Sequence, residues 1–407
     1  MPGASSGTAL TRRSFLKRCS ALAVAAAGAL EATAQRPPPL KREQRGGMWY
    51  RRLGRTELMI SEVGLGGSPP PEEELFRECM ERGVNYIDTS PVYSNGNSER
   101  TIGAAVKGKR DQFHITTKVH IGPARTKDDL LAEFQGSLSR LETDYLDVLM
   151  IHGAANPTDH ANEAVLETFA QLEQQGKIRF TGLSCHQNAT KVLPPAIESG
   201  NYDVVTVAYN VYAGSREHEG KAYDDYLKDS GLEDLILLAR QHDVGVIAIK
   251  PMAGGSFQKL EAYQADGSTL PQAKLKWILD NENVTAVLTE LVSYDIMVED
   301  LGAVGKKLTR REREALLRYA AATARDVCRM CGTCRQHCPQ GIAIPDVLRY
   351  LSYHDGYGQQ AEARLAYHSL PQASRPESCR DCGACEASCP FQVRIRPKLA
   401  RARRLLG

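Results

Sequence analysis

The chain has almost no net charge and few long apolar runs. Lysine and arginine number 51 against 49 aspartate and glutamate, a formal net charge of +2. So even a balance gives no electrostatic case for nucleic acid. Basic residues do gather from Arg394 to Arg404, where they read as a solvated helix end rather than a binding patch. Beyond residues 21–30 no apolar run is long enough for a membrane anchor. The stretch "GLGGSPPP", Gly64 to Pro71, lacks the G-x-G-x-x-G by which an open doubly wound sheet announces a dinucleotide site. Cysteine is scarce over most of the length, since eight of the eleven fall between Cys328 and Cys389. Otherwise, 42% hydrophobic and 25% charged residues give an ordinary soluble composition with room for a large core and a smaller unit.

The N-terminus reads as an address. Arg12 and Arg13 precede a run of small apolar residues, Ala21 to Leu30, too short to span a bilayer, and Ala32-Thr33-Ala34 offers the small-x-small pattern of a cleavage site. The order Thr11-Arg12-Arg13-Ser14-Phe15-Leu16-Lys17 resembles the twin-arginine signal consensus. That resemblance implies a signal over residues 1–34, export by the machinery for folded proteins, and a periplasmic or otherwise exported location. Its removal takes away Arg12, Arg13, Lys17, Arg18 and Glu31 and leaves a near-neutral chain. Residues 35–47, "QRPPPLKREQRGG", are proline-rich, charged and glycine-ended, and read as a linker with nothing to pack.

From Met48 short β-branched runs alternate with amphipathic stretches. The runs are 61–67, 84–88, 113–118, 146–152, 180–185, 203–210, 244–251 and 285–289. Helix-like segments such as Asp128 to Leu141, Asn162 to Gln175 and Leu232 to His242 lie between them. Eight such units predict a (β/α)8 TIM barrel over residues 48–320, with its active site at the C-terminal ends of the strands.

Asp88 ends the second run, Tyr93 follows in its loop, Lys118 ends the third and His152 the fourth, so all four fall on one rim. A carbonyl accepting hydride develops alkoxide charge and needs a proton donor. A tyrosine beside an ammonium can serve, with Lys118 lowering the Tyr93 pKa, Asp88 holding the lysine, and His152 orienting the carbonyl oxygen. Singly, each has a plainer explanation: a turn cap, a solvated strand end, a surface aromatic, a satisfied loop histidine. Their joint placement on successive strand ends favours the chemistry.

These residues, within "NYIDTSPVYSNGNSE" (85–99), "TTK" (116–118) and "DYLDVLMIH" (144–152), resemble the aldo-keto reductase family over roughly Tyr50 to Arg318. The resemblance implies Tyr93 as proton donor, Lys118 and Asp88 as its tuning pair, His152 as the orienting residue, and NAD or NADP as cofactor. It carries Ser184 over as a nicotinamide-amide contact, with Cys185 where asparagine is common and Thr206 replacing a frequent glutamine. Ile249 stands where a ring-stacking tyrosine is usual, ahead of Pro251 and Gly254. Glu299 and Asp300 resemble the pair that contacts adenine. No Lys or Arg lies between Thr285 and Val304, where a 2′-phosphate normally meets a cation.

The cysteine-rich end repeats one pattern: Cys328-x2-Cys331-x2-Cys334-x3-Cys338-Pro339 and Cys379-x2-Cys382-x2-Cys385-x3-Cys389-Pro390. This is the bacterial two-cluster run, in which the fourth cysteine ligates the other cluster. Cys328, Cys331, Cys334 and Cys389 are therefore assigned to one [4Fe–4S] cluster, and Cys379, Cys382, Cys385 and Cys338 to a second. Four disulfides or paired zinc sites explain neither the register nor its repetition. Residues 344–354 and 359–370 read as helices, so the module, residues 321–407, resembles the small, largely helical ferredoxin-like modules fused to redox enzymes. Cys79 reads as a buried apolar residue.

Clusters are assembled in the cytoplasm, so a chain that holds them must cross the membrane folded, and the two ends of the sequence agree. The expected protein is an exported oxidoreductase interconverting a carbonyl and an alcohol, with two clusters relaying electrons to a redox partner protein. The competing reading is an electron-transfer or binding protein whose barrel is catalytically silent. The long segment 210–231 is placed to shape the pocket, and suits a sugar or a polar aldehyde.

Overall fold

A buried charge needs partners, and that requirement organises the residues just ahead of the barrel. The computed structural model describes residues 39–122, 124–213, 230–253, 260–356 and 358–407. The expected signal, Gly254 and most of segment 210–231 lie outside them. Residues 42–47, expected in a linker, instead build a hairpin: β1 (Arg42–Arg45) pairs antiparallel with β2 (Met48–Arg52), which pairs with β3 (Met59–Ser61). The reason is Glu62, whose buried carboxylate accepts Arg42 Nε at 2.6 Å and Arg51 Nε at 2.7 Å. Arg51 also donates to the carbonyls of Leu279 and Val284.

Behind this sheet eight strands close into a parallel barrel: β4 (Val63–Gly66), β5 (Tyr86–Asp88), β6 (His114–Val119), β7 (Leu146–Ala154), β8 (Ile178–Cys185), β9 (Val204–Ala208), β10 (Gly245–Ile249) and β11 (Ala286–Thr289). Neighbours in the chain are neighbours in space, and β11 returns to β4. Every expected run has its strand. Each is too apolar to face water on either side, so helices such as Lys127–Leu141, Glu163–Gln174 and Leu232–Gln241 cover the outside. Thr126, Thr269 and Thr309 start their helices with capping boxes, each worth about 1 kcal/mol.

The N-terminal sheet plugs the lower end. Leu53, Leu58 and Ile60 enter the barrel beside Tyr86, Val148, Met150, Val204 and Ile247. Gly54 makes the approach feasible: at φ +50, a Cβ there would stand 2.3 Å from the Gly245 nitrogen.

The C-terminal module has its own core, in which Ile342, Val347, Tyr367, Phe391 and Leu399 pack against the cysteines. It is a duplicated unit. Short helices Thr333–Gln336 and Ala384–Ala387 follow left-handed Gly332 and Gly383, and helices Ile344–Gly356 and Ile395–Leu406 close the two halves. The basic tail is the exposed face of the last helix, where Arg396 pairs with Glu386 and Arg401 with Asp355. The helix Gln360–Ser369 lies between the halves. No helix among the described residues is long and apolar enough to cross a membrane.

Candidate active site

The four rim residues converge. Lys118 Nζ donates to Asp88 Oδ1 at 2.5 Å and to the Thr89 carbonyl at 2.7 Å, and lies 5.0 Å from the centre of the Tyr93 ring. Tyr93 meets His152 edge to face, with ring centres 5.6 Å apart, and His152 Nδ1 is 2.9 Å from Ser90 Oγ. Asp88, Tyr93 and His152 line one cavity of about 180 Å³.

Electrostatics modify one expectation. Lys118 does not bring the Tyr93 phenol down: burial first, then the Asp88 charge, push it well above the ordinary tyrosine range. The physical reason is that the lysine is already matched by Asp88, so the phenol meets a pair rather than a lone cation. The Asp88 carboxyl is itself raised, by burial, with Lys118 opposing. Burial, then Lys118 and the neighbouring histidines, hold His152 well below 6.5, so its ring is neutral at ordinary pH.

The roof of the cavity comes from the cysteine-rich module. Arg349, Tyr350 and Tyr353, on the helix Ile344–Gly356, and Gln359 and Glu362 beyond it face Asp88, Tyr93 and His152. Gln187 Nε2 donates to Asp346 Oδ1 at 2.9 Å, and the Asn188 N–H donates to the Met330 carbonyl at 2.9 Å, tying the loop after β8 to the module. Lys250, Glu290 and His186 complete the walls. Each directly follows a strand, so the rule that singles out Asp88 could also have found them. Arg349, Tyr350 and Tyr353 carry no such signal.

The nicotinamide positions divide. Ser184 and Thr206 are register partners on β8 and β9, both buried, and Thr206 Oγ1 has no hydrogen-bond partner. An orphaned hydroxyl beside a second one fits an amide, so Ser184 and Thr206 would hold the nicotinamide end; Ile249 lines the cavity, and Pro251, two residues on, is buried. Cys185 is buried, its thiol donates to the Gln187 carbonyl at 3.0 Å, and burial pushes it up to about 12, which leaves it a packing role. Cys79 is likewise buried and pushed up to about 12. At the adenine end the match is poorer. Asp300 is buried, and burial raises its carboxyl to about 7. Glu299 gives its carbonyl to Gln272.

None of the eight module cysteines is joined in a disulfide. Cys389 acts on Cys328 and Cys334 of the first run and Cys338 acts on Cys385 of the second, so the last cysteine of each run stands near the other run. The backbone N–H groups of Met330, Asp381 and Val393 point at the sulfurs of Cys328, Cys379 and Cys389, each at 3.4 Å. Among the described residues no three His, Cys, Asp or Glu side chains converge as on a single ion. Thiolates spread around a cubane, each on its own iron, need no such convergence. The donor set therefore fits [4Fe–4S] clusters.

Comparison with known proteins bears on both halves. The Aldo/keto reductase family matches residues 65–337 and the 4Fe-4S dicluster domain matches residues 322–393. L-galactose dehydrogenase of Arabidopsis thaliana is 26% identical over 294 residues, covering 62% of this chain and 87% of that protein. The NADH-specific methylglyoxal reductase of Escherichia coli is 25% identical over 332 residues, 67% of this chain and 98% of that one. Among solved structures, an aldo-keto reductase from Bacillus halodurans in its holo form superposes with a TM-score of 0.53 at 25% identity, covering 67% of this chain and 96% of its own. The barrel whose rim gathers Asp88, Tyr93, Lys118 and His152 thus has its kin, and the chain belongs to the aldo/keto reductase family, as an oxidoreductase joined to a 4Fe-4S dicluster domain.

Proposed function

We propose that this protein is an exported oxidoreductase that interconverts a small carbonyl and its alcohol at Tyr93, Lys118, Asp88 and His152, while two [4Fe–4S] clusters relay electrons to a redox partner protein. The observation that carries this reading is the single cavity whose floor is the barrel rim and whose roof is the cysteine-rich module. Its volume of about 180 Å³ lies below the ~300 Å³ at which pockets for drug-sized ligands begin, which favours a polar aldehyde or short keto compound over a whole sugar.

A bound nicotinamide would supply the hydride. The absence of Lys and Arg between Thr285 and Val304, together with the NADH-specific relative, favours NAD over NADP. The remaining work falls to side chains. With Ser90 donating to Nδ1, His152 presents Nε2–H to the carbonyl oxygen and fixes its position. Tyr93, kept protonated by its enclosure, gives its phenol proton to the alkoxide, and Lys118 then stands 5.0 Å from the phenolate ring. Asp88 anchors Lys118 so that the cation stays in place throughout.

Tyr93→Phe tests the reading. Carbonyl reduction by the anaerobically purified protein should fall by about 10²–10⁴-fold with the cluster absorption retained. A silent barrel would be indifferent to the change. Mass spectrometry of small molecules released on denaturation identifies the carrier, and finding NADP in place of NAD would correct that choice.

A further inference from the structure

Tyr353 enters the cavity from the module side, and Lys250 enters it from the end of β10. Lys250 Nζ stands 3.3 Å from Tyr353 Oη and 5.1 Å from the centre of its ring. Tyr93 and Tyr353 therefore line one small space, each with its own lysine, and the charge of Tyr353 reaches Tyr93. The second lysine pairing is assembled across the boundary between barrel and module.

We propose that Tyr353 and Lys250 form a second acid–base pair that returns a proton to Tyr93 within each turnover. The proposal rests on the reading of Tyr93 as proton donor. The transfers balance as follows. Hydride from a nicotinamide adds to the carbonyl carbon, the Tyr93 O–H bond breaks, and the O–H bond of the alcohol forms. The Tyr353 O–H bond then breaks as that of Tyr93 re-forms, leaving a Tyr353 phenolate beside the Lys250 ammonium, and the phenolate takes a proton from water.

The direction of the second transfer follows from the surroundings. Lys250 lies after β10, Glu290 after β11 and Tyr93 after β5, while Arg349 and Tyr350 lie on the same helix as Tyr353. Burial raises the Tyr353 phenol and Glu290 adds to it, but Lys250 and Arg349 outweigh both and bring it below the ordinary tyrosine value. Tyr93 sits well above that value. A proton passing from Tyr353 to the Tyr93 phenolate moves to the stronger base, so the step runs downhill. A group with a lowered pKa loses its proton as pH rises, so reduction should fall on an alkaline limb set by Tyr353.

The experiment compares full-length, cluster-loaded wild type, Tyr93→Phe, Tyr353→Phe and Lys250→Met. The first readout needs no substrate: ultraviolet difference titration of tyrosinate. Wild type and Tyr93→Phe should show one tyrosine ionising early, Tyr353→Phe should lose it, and Lys250→Met should move it up by about one pH unit. The second readout is carbonyl reduction against pH. Tyr353→Phe should lower kcat about tenfold at unchanged KM and lose the alkaline limb, a smaller effect than direct proton donation because water can substitute. An early-ionising tyrosine that survives Tyr353→Phe, or a Tyr353→Phe enzyme with wild-type kcat and pH profile, overturns the relay. If Tyr353→Phe loses its clusters, Lys250→Met, altered in the barrel, carries both readouts. Wild type that reduces no carbonyl removes the functional reading, whereas the titration still decides whether Tyr353 and Lys250 are a pair.

Discussion

The two ends of the barrel treat buried charge in opposite ways. At the lower end it is matched: Glu62 holds Arg42 and Arg51, Asp203 holds Arg55, and Asp147 collects Arg110, Arg179 and His114. Arg110 Nε is the one atom left over there among the described residues. At the upper end and its roof, Asp88 Oδ2, His186 Nδ1, Thr206 Oγ1 and Arg349 Nε are buried with no hydrogen-bond partner. Native folds satisfy most buried polar groups, so a concentration of orphans at one end marks atoms held for something else. The lower end is built for stability, and the upper end keeps its polar atoms available.

Substitutions at each end can break this contrast. Glu62→Ala should have the largest effect, about 3–5 kcal/mol of stability lost in chemical denaturation, because Arg51 would remain buried without its carboxylate. An effect near zero would dissolve the distinction. Next is Asp147. Burial pushes its carboxyl up, but hydrogen bonding from His114 and the Ile115 N–H and the charge of Arg110 prevail and hold it at about 2. A carboxyl whose pKa is depressed by folding contributes stability above its unfolded value, near 3.9, and loses it as pH falls toward 2. Asp147→Asn should therefore flatten the acid limb of stability over that window, where about 2 kcal/mol is at stake. The smallest effect, of opposite sign, belongs to the upper end. Thr206→Val should raise stability by about 1 kcal/mol, since an unpaired buried hydroxyl is removed, while weakening nicotinamide binding measured by calorimetry.

The strands were readable because parallel strands buried on both faces must be continuously apolar, and Asp88, Lys118 and His152 were readable because a polar residue ending such a run falls on the rim. The clusters' ligands are written in spacing alone, as Cys328 to Cys338 and Cys379 to Cys389 show. The hairpin from Arg42 to Arg52 was hidden, since β1 is charged and mostly exposed and owes its place to a carboxylate ten residues beyond β2. The roof was hidden for a different reason. Arg349, Tyr350 and Tyr353 look like one face of an amphipathic helix, and nothing local tells that this face meets a barrel mouth formed some two hundred residues earlier. The raised Tyr93 phenol was equally out of reach, because it depends on how deeply the cavity is enclosed.

The roofing helix, Ile344–Gly356, lies in sequence between Cys338 and Cys379, the last cysteine of the first run and the first of the second. The barrel and the module each have a core of their own, and the mouth is roofed by the segment between the two cysteine runs, which clusters would pin at both ends. The helix that carries Arg349, Tyr350 and Tyr353 over Tyr93 and His152 would then owe its place to the groups the cysteines hold.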